Sequence, residues 1–478
     1  MKISFIIPPQ LDDLKPAERT AGCVRMVYQA PNIYELQVVA VLEEAGFDVK
    51  YHDFVYNSTS LDAFKDFLST DDSDTYFFWT VNLSIENDLK CMRIITEMRP
   101  NAKIVLLGPG PTYFTAKCLP TDNVIIVRGE PEESTLELMT KMAEGSDWKD
   151  VRGISYKSDE KVINNGAREP MRDINTLPFA ARHHIEHQQY HNPKLKMGPY
   201  TTMITSRNCP YQCIYCVPSS LTFAREIEFR REHGRKPFIS MRNVENVAAE
   251  IEMLAVKGYK AIGFMDDNFI WNLERTKAIG TILKKHNIRW GCQARVDAIN
   301  DEISAVLADS GCMYVDLGIE SFDDRILKFV KKGITTEQIY AAVASLKKYK
   351  VPVKLNVLIG SAPFETKETV RHTLREAKRL KVDQVMFNIV SPFPGTEFYK
   401  LCKENGWFAT PDYVPTDVQR ESILKLPQLS AEEMEKLLFW NNIKYFFSLY
   451  FITTQLRRFT NWSEFVYALK SLKVKLFG

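Results

Sequence analysis

The sequence predicts an α/β protein in three parts: a doubly wound parallel sheet, a (β/α)6 partial barrel, and a mainly helical C-terminal region. Three observations predict this. Short apolar runs alternate with helix-period stretches through residues 1–145, the pattern of parallel strands joined by crossover helices. The alternation breaks over 146–195, which is polar and histidine-rich. It then resumes for six further units over 196–400, leaving 401–478 without a strand pattern.

The first five strands are read at Lys2–Ile7, Asp48–Phe54, Thr75–Trp79, Lys103–Leu107 and Asn123–Val127. Tyr34 to Ala45 reads as a helix stopped by Gly46. Ligands of such sheets bind at the carboxyl ends of the strands. Here those ends run into Pro8-Pro9, Thr80-Val81-Asn82-Leu83-Ser84, Gly108-Pro109-Gly110-Pro111-Thr112 and Arg128-Gly129-Glu130. The connector shows a small hairpin, with Val151–Tyr156 facing Val162-Ile163 across a polar turn. His183, His184, His187 and His191 follow. Three of them are four residues apart, as on one helix face, which reads as a metal site or as a solvated linker with no cysteine nearby. The barrel strands are Tyr200–Ser206, Ala261–Met265, Arg289–Gly291, Met313–Leu317, Val353–Ile359 and Gln384–Ile389, with chemistry expected at their C-terminal ends.

Composition narrows the class. A chain of 478 residues, 45% hydrophobic and 26% charged, has the make-up of a soluble globular protein. Sixty-two basic and 60 acidic residues, net +2, give no reason to expect nucleic-acid binding. Nine cysteines in a chain this long are not a disulfide framework. With no export signal read at Met1–Pro9, a reducing cytoplasm is expected. No segment reaches the roughly 20 apolar residues of a membrane span. Tyr445–Ile452, followed by Arg457 and Arg458, reads either as a helix packed on the core or as an element peripheral to the inner face of a membrane.

The chemistry centres on Cys209, Cys213 and Cys216, a C-x3-C-x2-C triplet directly after a strand. Iron–sulfur cubanes usually take four thiolates. Three leave one iron open, to be chelated by an amine and a carboxylate such as those of S-adenosylmethionine. The competing zinc site needs a fourth ligand and rarely has this spacing. Cys23, Cys91, Cys118, Cys292, Cys312 and Cys402 are scattered and read as buried free thiols.

The triplet, with Tyr215 before its last cysteine, resembles the radical S-adenosylmethionine superfamily. The later strand ends agree with the resemblance. Met265-Asp266-Asp267-Asn268-Phe269 sits where that family binds the methionyl amine. Arg295 ends the next strand, Gly318–Asp323 with Glu320 and Ser321 resembles the segment reaching the ribose and amino-acid moiety, and Leu358-Ile359-Gly360 the adenine-side strand. Phe364 stands where the family usually has glycine, and Pro392–Thr396 is typical of the group. Each position also has a local reading: Asp266 and Asp267 as a helix N-cap, Glu320 as a partner of Arg295.

The first domain resembles the flavodoxin-like, cobalamin-binding domain of one branch of this superfamily. The resemblance implies a cobalamin site at Thr80, Asn82, Ser84, Gly108, Gly110, Pro111, Thr112, Gly129 and Glu130. The motif that supplies an axial histidine to cobalt is absent; His52-Asp53 lacks the spacing. The whole implies a [4Fe-4S] enzyme that cleaves S-adenosylmethionine reductively to a 5′-deoxyadenosyl radical. With cobalamin it would methylate an unactivated carbon. The apolar, basic C-terminal region suggests a hydrophobic or lipid substrate, and the chemistry calls for a low-potential electron donor such as flavodoxin or ferredoxin. The alternatives are non-methyl radical chemistry, with or without cobalamin, and a redox or cobalamin sensor.

Overall fold

The computed structural model describes residues 1–20, 24–26, 28–56, 59–186, 190, 192, 194–216, 220–411 and 413–456. The chain divides into two compact units, Met1–Gln189 with Pro218–Arg242, and Tyr190–Val217 with Asn243–Gly478.

In the first unit, β1 (Lys2–Ile7), β2 (Asp48–Asp53), β3 (Thr75–Trp79), β4 (Lys103–Leu107) and β5 (Val124–Val127) lie parallel in the order 2-1-3-4-5. This is the flavodoxin-type order, whose switch point falls between β1 and β3. Helices α1 (Ile33–Glu44), α2 (Leu61–Thr70), α3 (Ile85–Met98), the single turn α4 (Pro109–Tyr113) and α5 (Pro131–Ala143) connect them. Asn32 caps α1 by accepting the Tyr34 N–H, and Ser60 caps α2. The hairpin β6 (Ile154–Ser158) and β7 (Lys161–Asn164), expected as a connector, extends this sheet antiparallel beyond β5. It covers the edge that β5 would otherwise expose. Helix α6 (Ser220–His233), which follows the third cysteine in the chain, also belongs to this unit.

The second unit carries six parallel strands: β8 (Tyr200–Met203), β9 (Ala261–Phe264), β10 (Arg289–Ala294), β11 (Cys312–Glu320), β12 (Val353–Ile359) and β13 (Gln384–Ile389). They run side by side in chain order, the partial barrel expected. Helices α7 (Val244–Val256), α8 (Leu273–Lys285), α9 (Asp301–Asp309), α10 (Asp324–Phe329), α11 (Thr336–Lys348), α12 (Lys367–Arg379) and α13 (Glu397–Glu404) intervene, and α14 (Ala431–Phe446) and α15 (Leu449–Leu456) close the described chain. Capping boxes start α11 at Thr335 and Gln338 and α14 at Ser430 and Glu433. The core lies between strands and helices, with Ile262, Trp290, Leu317, Leu355 and Leu438 all within it.

The aromatic C-terminal stretch is in part core. Tyr445 and Phe446 are buried, and the Tyr445 hydroxyl accepts the Val385 N–H at 2.9 Å. Phe447, Leu449 and Ile452 are exposed. Among the described residues no helix is long and apolar enough to cross a membrane.

Candidate active site

The cysteine loop is pinned from below by one carboxylate. Asp266, just beyond β9, is buried and accepts the Thr205 N–H (3.0 and 3.1 Å), the Thr205 hydroxyl (2.7 Å) and the Ser206 hydroxyl (2.6 Å). Burial pushes its carboxyl up, and these hydrogen bonds pull back. Trp271 Nε1 donates to the same Ser206 oxygen at 3.1 Å. Asn208 then takes a left-handed φ of 73° to turn the chain into Cys209. Midway, Ile214 is buried and fixed on both sides: its N–H reaches the Val330 carbonyl (3.1 Å) and its carbonyl accepts the Phe398 N–H (2.9 Å). Cys209, Cys213 and Cys216 are left partly exposed, with no disulfide among them.

Around Cys213 stand Tyr215, Arg295, Glu320 and Lys332. Glu320 ends β11 at a left-handed φ of 60°, immediately after a register shift against β12. Such backbone, unusual for a residue with a side chain, clusters at functional sites. Lys332 Nζ donates to Glu320 Oε1 at 2.7 Å, and both are buried. A side chain on Gly318 would collide with this pair, its Cβ falling 2.6 Å from Glu320 Oε1. Tyr215 hydrogen-bonds Glu320, and its phenol is held well above the usual range by burial first, then by Glu320, Cys213 and Cys216. Arg295 forks onto Asp297 (3.0 Å twice), donates to the Lys332 carbonyl (2.8 Å) and lies 3.4 Å over the Tyr211 ring. Both cations, Arg295 and Lys332, feel the charge of Cys213. Two cations this close suit a loop whose cysteines are ionised.

Two local readings of the sequence are corrected here. Glu320 pairs with Lys332, not Arg295. Asp266 and Asp267 do not cap a helix: α8 starts later, capped by Asn272, which accepts the Arg275 N–H at 2.9 Å. Lys332 has no signal in the sequence, since Lys331-Lys332-Gly333 carries no motif.

The other expected contacts lie at successive strand ends. Asp267 is half-buried, and Asn268 is buried with its Oδ1 unpartnered among the described residues. Ser321 accepts the Asp323 N–H at 3.1 Å and lies 3.2 Å from the Thr373 hydroxyl. Gly360 has a φ of 79°, and a Cβ there would strike Met434 Sδ. The adjacent Ser361 hydroxyl is fully buried and unpartnered among the described residues. Glu365 closes this turn by accepting the Ser361 N–H at 2.8 Å, with further backbone bonds from Gly360 and Ala362. Burial raises its carboxyl to about 7. Because the Glu365 carboxylate holds the turn, Phe364 needs no left-handed backbone; it packs edge-on to Phe329. Asn268 Oδ1 and Ser361 Oγ, both buried and lacking partners, are polar atoms that a ligand such as S-adenosylmethionine can satisfy.

One face of the barrel sheet is partly exposed and largely polar. Along β12, Lys354, Asn356 and Leu358 are half-buried while Val353, Leu355, Val357 and Ile359 are buried; β13 alternates likewise, with Gln384, Met386 and Asn388 partly exposed. Lys354 Nζ lies 2.5 Å from Asp316 Oδ2, and Asn356 Nδ2 lies 2.5 Å from Asp316 Oδ1. Burial lowers the Lys354 ammonium despite this partner. Asn356 pairs with Gly318, and the next residue, Val357, pairs with Glu320 across the register shift.

At the carboxyl edge of the first sheet, Thr80 Oγ1, Asn82 Oδ1 and Trp79 Nε1 are buried without partners among the described residues. Other expected positions are engaged. Ser84 donates to Asp88 (2.8 Å), Thr112 to the Gly108 carbonyl (2.8 Å), and Glu130 accepts the Met171 N–H (2.7 Å). Gly108 and Gly110 let the α4 turn approach the Thr80 carbonyl, where a Cβ would fall at 2.8 and 3.1 Å. Pro111 lies inside that turn. Gly129 is covered by α6, with Glu228 3.3 Å from where its Cβ would be, and Arg128 forms a buried ion pair with Glu228 at 2.8 Å. The edge therefore fits a polar ligand at Thr80 and Asn82, and is occupied by α6 at Gly129. His52 Nε2 is buried without a partner among the described residues, its ring packed on Phe67 at 4.5 Å. A buried carboxylate not anticipated from the sequence, Glu35, accepts the Trp79 N–H and the Tyr51 hydroxyl, both at 3.1 Å, and is raised to about 8 by burial.

Residues 203–404, which include the cysteine loop and the strand ends just described, match the radical SAM superfamily model. The chain carries a radical S-adenosylmethionine domain. It is 29% identical over 448 residues to an uncharacterized methyltransferase of Pyrococcus horikoshii, covering 92% of this chain and 91% of that one. It is 26% identical over 385 residues to the anaerobic magnesium-protoporphyrin IX monomethyl ester cyclase of Rubrivivax gelatinosus, covering 77% and 66%. Among solved structures, OxsB, a cobalamin-dependent S-adenosylmethionine radical enzyme with aqua-cobalamin and S-adenosylmethionine bound, superimposes with a TM-score of 0.72 at 14% identity, over 100% of this chain and 72% of that one. That likeness is one of fold. Such a domain takes a [4Fe-4S] cluster and S-adenosylmethionine, and its chemistry needs a small-molecule substrate and an electron donor.

Proposed function

We propose that the chain is a cobalamin-dependent radical S-adenosylmethionine methyltransferase acting on an unactivated carbon. The observation that carries this reading is the convergence of three partly exposed cysteines with Arg295, Lys332, Tyr215 and Glu320 at the barrel's strand ends. Cys209, Cys213 and Cys216 would hold the cluster. Asp267, Asn268, Arg295, Glu320, Ser321 and Gly360 would face S-adenosylmethionine, with Tyr215 beside them, while Asp266 holds the loop. When bound, the cluster supplies the electron that cleaves S-adenosylmethionine, and cobalamin supplies a methyl carrier. Thr80 and Asn82 support a cobalamin edge through their unpartnered polar atoms, alongside Gly108, Gly110, Pro111 and Thr112.

The substrate would lie in the open barrel face, where Asp316, Lys354, Asn356, Gln384 and Asn388 favour polar groups over the hydrophobic or lipid substrate suggested by the C-terminal stretch. Exclusion of water falls to the aromatic and apolar residues lining the loop, Tyr211 and Ile214 among them. Non-methyl chemistry is the second reading, favoured by α6 covering Gly129 and by the likeness to the cyclase. Anaerobic reconstitution with iron and sulfide tests the proposal. A cubane spectrum is expected, lost in Cys213→Ala, with S-adenosylmethionine cleaved under strong reductant and cobalamin retained through gel filtration. Absence of cleavage overturns the radical assignment, and cleavage without retained cobalamin leaves the second reading.

A further inference from the structure

The histidine-rich connector has an acidic partner that local sequence does not reveal. We propose that Glu43, His183 and His184 form a divalent transition-metal site that clamps the connector to helix α1. Glu43 lies in the last turn of α1, and both histidines lie in the short helical turn Arg182–Ile185, 140 residues on. Glu43 Oε1 is 3.1 Å from His183 Nε2 and 2.6 Å from His184 Nε2. One ligand atom from each residue falls within 4.8 Å of the others. Two imidazole nitrogens and a carboxylate suit zinc, nickel or cobalt rather than calcium or magnesium. A tetrahedral ion at ordinary bond lengths spaces its ligand atoms about 3.4 Å apart. The His183 contact is already near that value, and the His184 contact must widen by less than about 1 Å.

Two independent features favour a cation here. Helix α1 ends in Glu43 and Glu44 with no basic residue in its last turn, although carboxylates face the negative end of the helix dipole there. A bound cation offsets both the carboxylate and the dipole. The turn is also preset by contacts that do not involve the histidine rings. The Ala181 N–H reaches the Leu36 carbonyl at 3.0 Å, Gln37 Nε2 reaches the Pro178 carbonyl at 2.6 Å, and Arg182 is 1% exposed. The ligands are therefore held in place before an ion arrives, and the half-exposed His183 side chain leaves access for the ion and for a completing water. His187 and His191 lie outside the described residues.

The test uses the full-length, tag-free, cluster-loaded protein under anaerobic conditions, titrated with zinc by calorimetry and with cobalt by its visible absorption. One equivalent is expected. His183→Ala, Glu43→Gln and His184→Ala should each weaken binding at least tenfold while cluster iron per chain stays unchanged. Zinc should also slow proteolysis within residues 178–200 in the parent but not in the variants. His183→Ala is the decisive variant, because that side chain is half exposed and its loss should leave the fold intact. Zinc binding equal in parent and His183→Ala, or no binding in the parent, overturns the site and leaves Glu43 as a hydrogen-bond acceptor for two histidines.

Discussion

Replacing Asp266 with alanine separates an anchor of the cysteine loop from a ligand contact. In the structure this carboxylate accepts from the Thr205 N–H, the Thr205 hydroxyl and the Ser206 hydroxyl, all buried. Alanine leaves three buried donors without that acceptor, at about 1–3 kcal/mol each. The hydroxyls can turn to other acceptors, and the backbone amide cannot. Removing a desolvated carboxylate returns part of the cost. The net expectation is a loss of about 2–4 kcal/mol, with Asp266→Asn near half of that because one oxygen acceptor remains. Since Thr205 and Ser206 lead directly into Cys209, the destabilised strand end should also lower the iron and sulfide held per chain after reconstitution. The assays are denaturant unfolding, cluster content, and S-adenosylmethionine affinity of the loaded protein. A variant with the parent's unfolding midpoint and full cluster content, but S-adenosylmethionine binding weakened tenfold or more, would refute the anchoring argument and make Asp266 a direct contact.

Two further predictions concern buried charge. Lys332→Met strands Glu320 without its cation and should cost about 3–5 kcal/mol in denaturant unfolding; adding Glu320→Gln should restore most of it, and a double variant as unstable as the single one contradicts the pairing. Glu35 keeps its proton up to about pH 8 in the folded chain, whereas the unfolded carboxyl releases it near its ordinary value. The folded state thus binds more protons between those limits. The stabilisation is complete below the unfolded value and falls as pH rises towards 8, by up to about 5 kcal/mol. Glu35→Gln should flatten that slope, and an unchanged slope rules Glu35 out as its source.

The strands could be read from the sequence because their signal is local. β1, β3, β4, β12 and β13 are continuous or alternating apolar runs, and their observed bounds are those read from the pattern. The cysteine spacing is local too, since three thiols within eight residues need no long-range partner to suggest a cluster. The Phe364 position shows the limit of motif reading. A missing glycine left the turn open to question, and only the Glu365 carboxylate, bonded to three backbone amides across the turn, shows how it forms without one.

Two sets of β/α units, their order along the chain, and three closely spaced cysteines as candidate cluster ligands are legible in the sequence without coordinates. Periodicity and ligand spacing are properties of neighbouring residues and survive without coordinates. Tertiary structure alone decided which polar groups meet: Asp266 with Thr205 and Ser206, Glu320 with Lys332, Glu228 with Arg128, and Glu43 with His183 and His184. It also decided that the hairpin joins the first sheet and that α6 belongs to the first unit. A buried charge takes the partner that strand register and helix packing bring within about 3 Å, and sequence distance says nothing of that proximity.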